Sequence, residues 1–334
     1  MTALRVVAFG GGHGLAASLR GLRHAAAGLD LAVTAVVTVG DDGGSSGRLR
    51  ADRGALPPGD LRQALAALAG PDPAEQLTAE LFQHRFVPVP GEFVPVPGEA
   101  PGERVDPLTG HAVGNLVLCG LMELLGDPVA ALDHVGRLLG ATGRVLPMSC
   151  DPVAIEADVR GGDPRRPTEV VTVRGQHAVA VTRGRVESVR LLPKTPTACR
   201  PAIAAVEAAD WLIFGPGSWY TSVIPHLLVP DLAAAIVASP ARRLVTLNLA
   251  AEKETLGLSV ADHLAALSWY LPQLRVDTVL ADGVAVGDPD PVARAAESLG
   301  ARLTLAPLAV ADGSPRHDPV ALGAALVPVL GSAR

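Results

Sequence analysis

The chain has 334 residues, of which 49% are hydrophobic and 19% charged, a composition typical of a soluble globular protein with a large buried core. Its length allows one to three domains. The formal net charge of −6 gives no diffuse positive field, which argues against nucleic-acid binding as the main task. Any site for an anion must therefore be local.

The first residues run directly into an apolar strand, and no apolar run is long enough to span a bilayer. We therefore expect a cytoplasmic protein without membrane insertion. Cys119, Cys150 and Cys199 are widely spaced and form no Cys-x-x-Cys pair, so the sequence predicts neither a disulfide framework nor a zinc site. Buried free thiols are expected.

The first part of the chain alternates strands with helices. Strands are predicted at residues 5–9 and 31–39, and helices at residues 15–22, 61–68, 116–125 and 128–139. A β-α-β beginning implies a parallel sheet with a right-handed crossover.

Two middle segments break this alternation. Residues 86–107 contain the heptad Phe-Val-Pro-Val-Pro-Gly-Glu twice in tandem, which predicts an extended or disordered insertion with polyproline character. A docking motif is the alternative. Residues 144–192 contain short alternating stretches at 169–173 and 178–182, which predict β-hairpins and hence a small antiparallel extension.

The strand and helix alternation then resumes. Strands are predicted at residues 211–214, 243–249, 276–281 and 302–306, and helices at 201–209, 231–239, from about 291, and 319–330. The sequence therefore predicts one α/β domain over residues 1–334, with a Rossmann-like, doubly wound, mostly parallel sheet and a small antiparallel β extension.

The segment after the second predicted strand carries the densest chemistry in the chain. It reads Thr-Val-Gly-Asp-Asp-Gly-Gly-Ser-Ser-Gly-Arg from residue 38 to residue 48. Asp41 and Asp42 suit Mg²⁺ or sugar hydroxyls, and Arg48 can bind a phosphate with two parallel hydrogen bonds. The remaining candidates for phosphate contact in this loop are Ser45, Ser46 and Gly47. The alternative is an ordinary glycine-rich turn with an Asp cap.

Two further glycine loops follow predicted strands. The first predicts a phosphate site at a helix N-terminus and consists of Gly10, Gly11, Gly12, His13 and Gly14. The second repeats this arrangement late in the chain, with candidates Gly215, Gly217, Ser218, Tyr220, Thr221 and Ser222. Tight strand-end turns are the alternative in both places.

Several isolated polar residues are expected to line the same cleft, because they lie at helix starts or strand ends. They are Asp60, Arg62, His111, Asn115, Asn248 and Glu254. The alternative for Asp60 is a helix cap, and for Arg62 a solvated surface position.

Five ordered blocks together resemble a known family. They begin at Gly10, Thr38, Leu56, Gly110 and Gly215, and they are similar to those of the YvcK-type gluconeogenesis factors, which bind UDP-N-acetylglucosamine. That family is itself similar to the 2-phospho-L-lactate transferases of the CofD type. The chain departs from the family in having His13 where Thr is usual, in its block after Asn248, and in the tandem heptads.

The resemblance implies a cytoplasmic regulator that binds UDP-N-acetylglucosamine and links gluconeogenic growth to cell-wall synthesis and cell shape. The alternative is a nucleotide-dependent phosphotransferase in which the Asp pair holds a catalytic Mg²⁺. A dinucleotide-binding oxidoreductase is less well supported, because no isolated acidic residue ends the second strand. A homo-oligomer and a partner in cell-wall synthesis remain open.

Overall fold

The computed structural model describes residues 2–88, 106–163, 165–250, 253–255 and 258–332. The strands in this part of the chain are β1 (Leu4–Gly10), β2 (Leu31–Val37), β3 (Gly143–Pro147), β4 (Ala154–Arg160), β5 (Val170–Arg174), β6 (Arg185–Leu192), β7 (Trp211–Phe214), β8 (Arg242–Thr246), β9 (Thr278–Asp282) and β10 (Arg302–Ala306). Most of the predicted insertion, residues 89–105, lies outside the described residues.

The helices in the same described ranges are α1 (Gly12–Ala25), α2 (Gly44–Arg53), α3 (Pro58–Ala67), α4 (Pro73–Gln83), α5 (Val113–Leu125), α6 (Pro128–Leu138), α7 (Gln176–Ala180), α8 (Arg200–Ala208), α9 (Ile224–Leu227), α10 (Pro230–Ala238), α11 (Val260–Tyr270), α12 (Gly283–Val286), α13 (Asp290–Ser298) and α14 (Pro319–Gly331). A π-helical turn at Trp219–Val223 leads into α9, and a 3₁₀ turn lies at Lys253–Thr255.

A seven-stranded parallel sheet forms the centre of the fold, with helices on both faces, which confirms the predicted α/β class. Its spatial order is β10-β9-β8-β7-β1-β2-β3. The chain thus builds outward from β1 in one direction and from β7 in the other. In open α/β sheets ligands bind at such a switch point, outside the carboxyl ends of the strands. The order of strands therefore places the candidate site beyond β1 and β7.

Aromatic packing joins the two strands at the switch point. Phe9 on β1 pairs in register with Phe214 on β7, and their rings stack with centroids 4.9 Å apart. The His226 ring packs edge-on against Phe9, and its Nε2 lies 3.0 Å from the carbonyl oxygen of Val36. Full burial lowers the pKa of His226 to about 4, so this ring is neutral and structural. These contacts hold β1 and β7 together at the switch point.

The small antiparallel sheet has the order β5-β4-β6, with a bulge between Asp158 and Val159. It corresponds to the predicted extension, but its predicted start at residue 144 is wrong. Residues 143–147 form β3, which pairs in parallel with β2 at the edge of the main sheet. The extension therefore begins with β4.

The predicted strand at residues 178–182 is also wrong, because this segment lies in and after helix α7. A tertiary contact explains the difference. The Oδ1 atom of Asp42 accepts a hydrogen bond of 2.8 Å from the backbone N–H of His177, in the first turn of α7. Gly175 approaches the same carboxylate so closely that a Cβ there would lie 2.0 Å from Asp42 Oδ2. A cap supplied by a residue distant in sequence thus overrides the alternating local pattern.

The cysteines and the longest apolar helices bear on what the composition predicts. Cys119 and Cys199 are buried as expected, whereas Cys150 is exposed. Among the described residues no single helix is long and apolar enough to cross a membrane. One bent pair, Trp219–Leu227 with Pro230–Ala238, meets that test by length and composition alone.

Candidate functional site

A cavity of about 650 Å³ opens at the carboxyl ends of the central strands, at the switch point of the sheet. Segments that follow β1, β2, β7, β8 and β10 contribute to its wall, and α7 of the small sheet contributes Gln176 and His177. The volume lies within the usual range for small-molecule and cofactor sites. The small sheet therefore closes one side of a cleft built by the large one.

The first glycine loop lies where it was predicted, at the cavity wall. Gly11, Gly12, His13 and Gly14 line the cavity, while Gly10 packs against Leu15. Helix α1 begins at Gly12 and has no acidic residue in its first turn and no side-chain cap. The N–H of Gly12 is bonded to the Asp60 carboxyl, so the helix offers an anion the following N–H groups of its first turn and the positive end of its dipole.

The second glycine loop faces the first at very close range. A Cβ on Gly14 would lie 2.4 Å from the carbonyl oxygen of Pro216 and 2.5 Å from the Cα of Gly217. The Asn248 side chain holds the loop from the other side, since it accepts from the N–H of Gly217 at 2.8 Å and donates to its carbonyl at 2.9 Å. Glycine at position 14 is therefore required for the two loops to form one continuous wall.

Hydroxyl groups of the second loop complete this wall. Ser218, Thr221 and Ser222 line the cavity, and Ser218 is hydrogen-bonded to Thr221. Gly215, Tyr220 and Glu254, which were also predicted, lie outside the cavity wall. The backbone N–H of Tyr220 donates to Glu254 Oε1 at 2.8 Å, which ties the 3₁₀ turn to the π-helical turn. These residues support the loop from behind.

Two carboxyl groups face the cavity, and they are not the pair predicted for a metal. Asp41 and Asp60 line the wall, whereas Asp42 caps α7. Burial and the nearby Asp41 raise the pKa of Asp60 to about 7, although Gln176 and the backbone of Gly12 partly oppose this shift. Asp60 is only 6% exposed, and its Oδ2 has no hydrogen-bond partner in the part of the chain that the structure describes. A buried carboxyl oxygen in this state is suited to receive a proton, a cation or a ligand hydroxyl.

The predicted positions of Ser45, His111, Asn115 and Arg62 at the cleft surface are corrected by the structure. These side chains form a buried network behind Asp41, and none of them lines the cavity. Ser45 Oγ lies 3.0 Å from His111 Nδ1 and accepts from Asn115 Nδ2 at 3.0 Å, and Asn115 Oδ1 accepts from Arg62 Nε at 2.8 Å.

This network joins α2, α3 and α5. Burial lowers the pKa of His111, and burial together with the nearby Arg85 lowers that of Arg62 to about 10. A neutral imidazole bonded to a serine hydroxyl resembles a nucleophilic dyad, but Ser45 is 3% exposed and outside the cavity wall. The arrangement is therefore one that positions the segment carrying Asp41.

The predicted glycine loop between residues 43 and 48 is in fact the first half of helix α2. Gly47 sits in the helix, where a Cβ would meet the carbonyl oxygen of Asp42 at 2.0 Å, and Ser46 is buried. Arg48 projects away from the cavity and donates to the carbonyl oxygen of Thr109 at 2.8 Å. A phosphate contact by Arg48 stays a prediction that this geometry does not favour.

Two arginines that the sequence did not single out supply the positive charge at the cavity. Arg20 follows His13 and Ala17 along one face of α1, a spacing that the sequence does contain. Arg316 lies in the segment after β10 and is held by Asp312 Oδ2 at 2.6 Å and by Ser314 Oγ at 2.8 Å. Both side chains are exposed, but the guanidinium of Arg316 is paired with Asp312, so a ligand phosphate would share or replace that ion pair.

Another set of residues in the cavity wall is less polar. Its members are Leu249, Ala250, Val310, Pro315 and Pro319. His317 lies among them, and burial lowers its pKa, so its ring is neutral at physiological pH. The cavity thus combines anion-binding groups, from the glycine loops and the arginines, with apolar side chains that suit a planar ring.

The fold and the cavity together define a doubly wound α/β protein with an anion-binding cleft at the switch point of its sheet. Residues 6–299 match the family model described as 2-phospho-L-lactate transferase CofD. This chain is also 49% identical over 327 residues to a candidate gluconeogenesis factor of Mycobacterium tuberculosis, covering 96% of this chain and 89% of that one. The chain therefore belongs to the CofD family, and the predicted resemblance to YvcK-type gluconeogenesis factors is confirmed.

More distant relatives agree with this assignment. The gluconeogenesis factor of Bacillus subtilis is 35% identical over 299 residues, which cover 89% of this chain and 84% of that protein. A crystal structure of a UPF0052 family member from Bacillus halodurans superposes with a TM-score of 0.80 at 32% identity, covering 98% of this chain and 99% of that one. The α/β fold is thus shared along nearly the full length of both chains.

Proposed function

We propose that the chain is a regulatory protein that binds UDP-N-acetylglucosamine in the cavity at the switch point and thereby links gluconeogenic growth to cell-wall synthesis and cell shape. The observation that carries the proposal is the wall formed by the two facing glycine loops, with Arg20 and Arg316 nearby. Such a wall suits a diphosphate, because backbone N–H groups, a helix N-terminus and guanidinium groups all bind phosphate oxygens.

The rest of the cavity supports a nucleotide sugar over a bare diphosphate. The apolar side chains of Leu249 and Val310 suit a base, and Asn248 with the hydroxyls of the second loop suits ribose or sugar hydroxyls. The relatives named gluconeogenesis factors support a role in carbon metabolism. Calorimetry with UDP-N-acetylglucosamine tests the proposal, with ADP and GDP as comparison ligands. Saturable binding of the UDP-sugar is expected, and its absence would remove the proposal.

A magnesium ion fits the two carboxyl groups that line the cavity, those of Asp41 and Asp60. Among the described residues no group of three or more His, Cys, Asp or Glu side chains could hold a metal. Mg²⁺, however, is commonly held by one or two carboxylates together with phosphate oxygens of the ligand. We propose that Asp41 and Asp60, and not Asp42, hold Mg²⁺ against the diphosphate, since Asp60 Oδ2 lacks a partner. When bound, the ion would neutralise phosphate charge.

The arginines give a test with a matched control inside the chain. Arg20→Ala and Arg316→Ala should each weaken UDP-N-acetylglucosamine binding by about 1.5–3 kcal/mol, the usual contribution of a hydrogen bond to a charged group. Arg48→Ala should leave the affinity within error, because this side chain contacts Thr109 instead. Calorimetry on the three folded variants measures the difference. A loss confined to Arg48→Ala would place the diphosphate over α2 and contradict our assignment.

The family match favours a second function, a phosphotransferase of the 2-phospho-L-lactate transferase type. In that case Asp41 would hold Mg²⁺ for chemistry more than for affinity. Purified protein is incubated with a deazaflavin, an activated phospholactate nucleotide and Mg²⁺, and products are followed by mass spectrometry. We expect no turnover in the native chain. Multiple turnovers that disappear in Asp41→Asn, while Asp42→Asn retains them, would establish the transferase in place of the regulator.

A further inference from the structure

A second, smaller cavity of about 90 Å³ adjoins the main one and shares Asn248, Leu249 and Ala250 with it. Its remaining wall includes Trp219 and His263, which are 1% and 6% exposed. The shared residues place the small cavity directly beside the main one. We call the small cavity the subsite.

Two buried nitrogen atoms at this subsite have no hydrogen-bond partner among the described residues. They are Nε1 of Trp219 and Nε2 of His263. The two rings lie edge-on, with centroids 5.6 Å apart and an interplanar angle of 73°. Buried polar atoms in folded proteins are nearly always paired, so two adjacent exceptions beside a cavity indicate missing partner atoms from a ligand.

The chemistry of these two atoms is complementary. An indole N–H can only donate. Burial lowers the pKa of His263, so its ring is neutral, and its other nitrogen faces the backbone carbonyl of Ser259. With the ring proton on that nitrogen, Nε2 is left as an acceptor. The subsite therefore offers one donor and one acceptor.

Among the described residues, the rest of the subsite wall is apolar except for Asn248, whose amide is bonded to the backbone of Gly217. The apolar members are Leu247, Leu249, Ala250, Leu258, Val260 and Ala285. A group that fits must present one acceptor, one donor and a small apolar part. A secondary amide with a methyl group has all three, whereas a hydroxyl offers its donor and acceptor from one atom and leaves the apolar wall uncovered.

We propose that the small cavity is an acyl-amide subsite, in which Trp219 donates to the carbonyl oxygen of a ligand acetamido group and His263 accepts from its N–H. This inference rests on the proposed function, because it assigns a place to the amide of the bound amino sugar. It makes the two side chains the residues that distinguish an N-acetylated sugar from its hydroxyl counterpart. A site that hydrogen-bonds the acetamido group rejects the hydroxyl sugar strongly, because the hydroxyl sugar leaves buried polar atoms of the site unpaired.

The test compares UDP-N-acetylglucosamine with UDP-glucose by calorimetry. We expect the native chain to prefer the acetamido ligand by about tenfold or more, and Trp219→Phe to lose most of that preference. Trp269→Phe is the matched control, since Trp269 is 63% exposed on α11 and lies outside both cavities. An unchanged ligand preference in Trp219→Phe would overturn the subsite.

A second measurement separates failure of the subsite from failure of the proposed function. The chain has three tryptophans, so indole ¹⁵N-labelled protein gives three N–H signals, and the Trp219 signal is the one lost in Trp219→Phe. N-acetylglucosamine 1-phosphate should shift this signal, whereas glucose 1-phosphate should not. A shift without UDP-sugar binding supports the subsite and refutes the nucleotide ligand. UDP-N-acetylglucosamine binding without a shift refutes the subsite alone.

Discussion

Replacing Gly14 with alanine should abolish measurable UDP-N-acetylglucosamine binding, with a loss of about a hundredfold or more. The added methyl group would lie 2.4 Å from the carbonyl oxygen of Pro216 and 2.5 Å from the Cα of Gly217. Both neighbours are backbone atoms, and Asn248 holds the loop from its far side through two hydrogen bonds. Neither loop can move by a small side-chain rotation, so the wall that faces the diphosphate must open.

The same substitution should lower the free energy of unfolding by about 1–3 kcal/mol, the usual cost of overpacking a close contact. Gly120→Ala is the matched control, because Gly120 is also helical and a Cβ there meets nothing within 4 Å. That variant should bind normally and gain up to about 1 kcal/mol of stability. Denaturant unfolding and calorimetry measure both quantities. Normal binding by a folded Gly14→Ala variant would show that the contact between the loops is not part of the site.

Local sequence patterns were sufficient to predict elements whose signal lies within a few neighbouring residues. The strands at residues 211–214 and 302–306 have the predicted bounds, because short apolar runs between turn residues favour strands both at the buried centre of the sheet and at its exposed edge. Helices α4 and α11 were missed, although each carries a capping box, at Asp72 with Glu75 and at Ser259 with Asp262. That signal was present in the sequence and could have been used.

Other features depend on contacts between distant segments. Asp42 caps α7 across 135 residues of chain, and no local pattern reveals that this takes it away from Asp41. The partnership of Asp41 with Asp60 is likewise a consequence of where α3 packs. Arg316 comes from a segment with no periodic pattern and reaches the cavity only because β10 lies in the same parallel sheet. The three glycine-rich segments were identifiable, whereas the set of side chains facing the cavity was not.

Replacing Asp60 with asparagine should stabilise the ligand-free chain at pH 8 and weaken ligand binding in the presence of Mg²⁺. Burial and the charge of Asp41 raise the pKa of Asp60 to about 7, above its ordinary value of 3.8. Between these two pH values the folded chain binds more protons than the unfolded chain, so this group makes stability fall as pH rises. At about 1.4 kcal/mol per pH unit, the effect is at most about 4 kcal/mol above pH 7.

An asparagine side chain cannot ionise, so the stability difference between Asp60→Asn and the native chain should grow from pH 4 to pH 7 and stay constant above it. Urea unfolding at several pH values measures this difference. Asp30→Asn is the control, since Asp30 is exposed and precedes β2, at the opposite end of the sheet. A flat difference between pH 4 and pH 8 would contradict the raised pKa of Asp60.

A role in Mg²⁺ binding would explain why a destabilising carboxylate is kept in the cavity wall. Asp60 Oδ2 has no partner within the described part of the chain, and the Gly12 N–H and Gln176 offset the Asp60 charge only in part, so a cation or a ligand group at this oxygen would complete the compensation. Asp60→Asn should therefore remove the Mg²⁺-dependent part of UDP-N-acetylglucosamine affinity and leave the Mg²⁺-independent part nearly intact. Calorimetry with Mg²⁺ and with EDTA separates the two parts. Equal Mg²⁺ dependence in the variant and in the native chain would show that Asp60 holds no metal, and its buried charge would then need another partner.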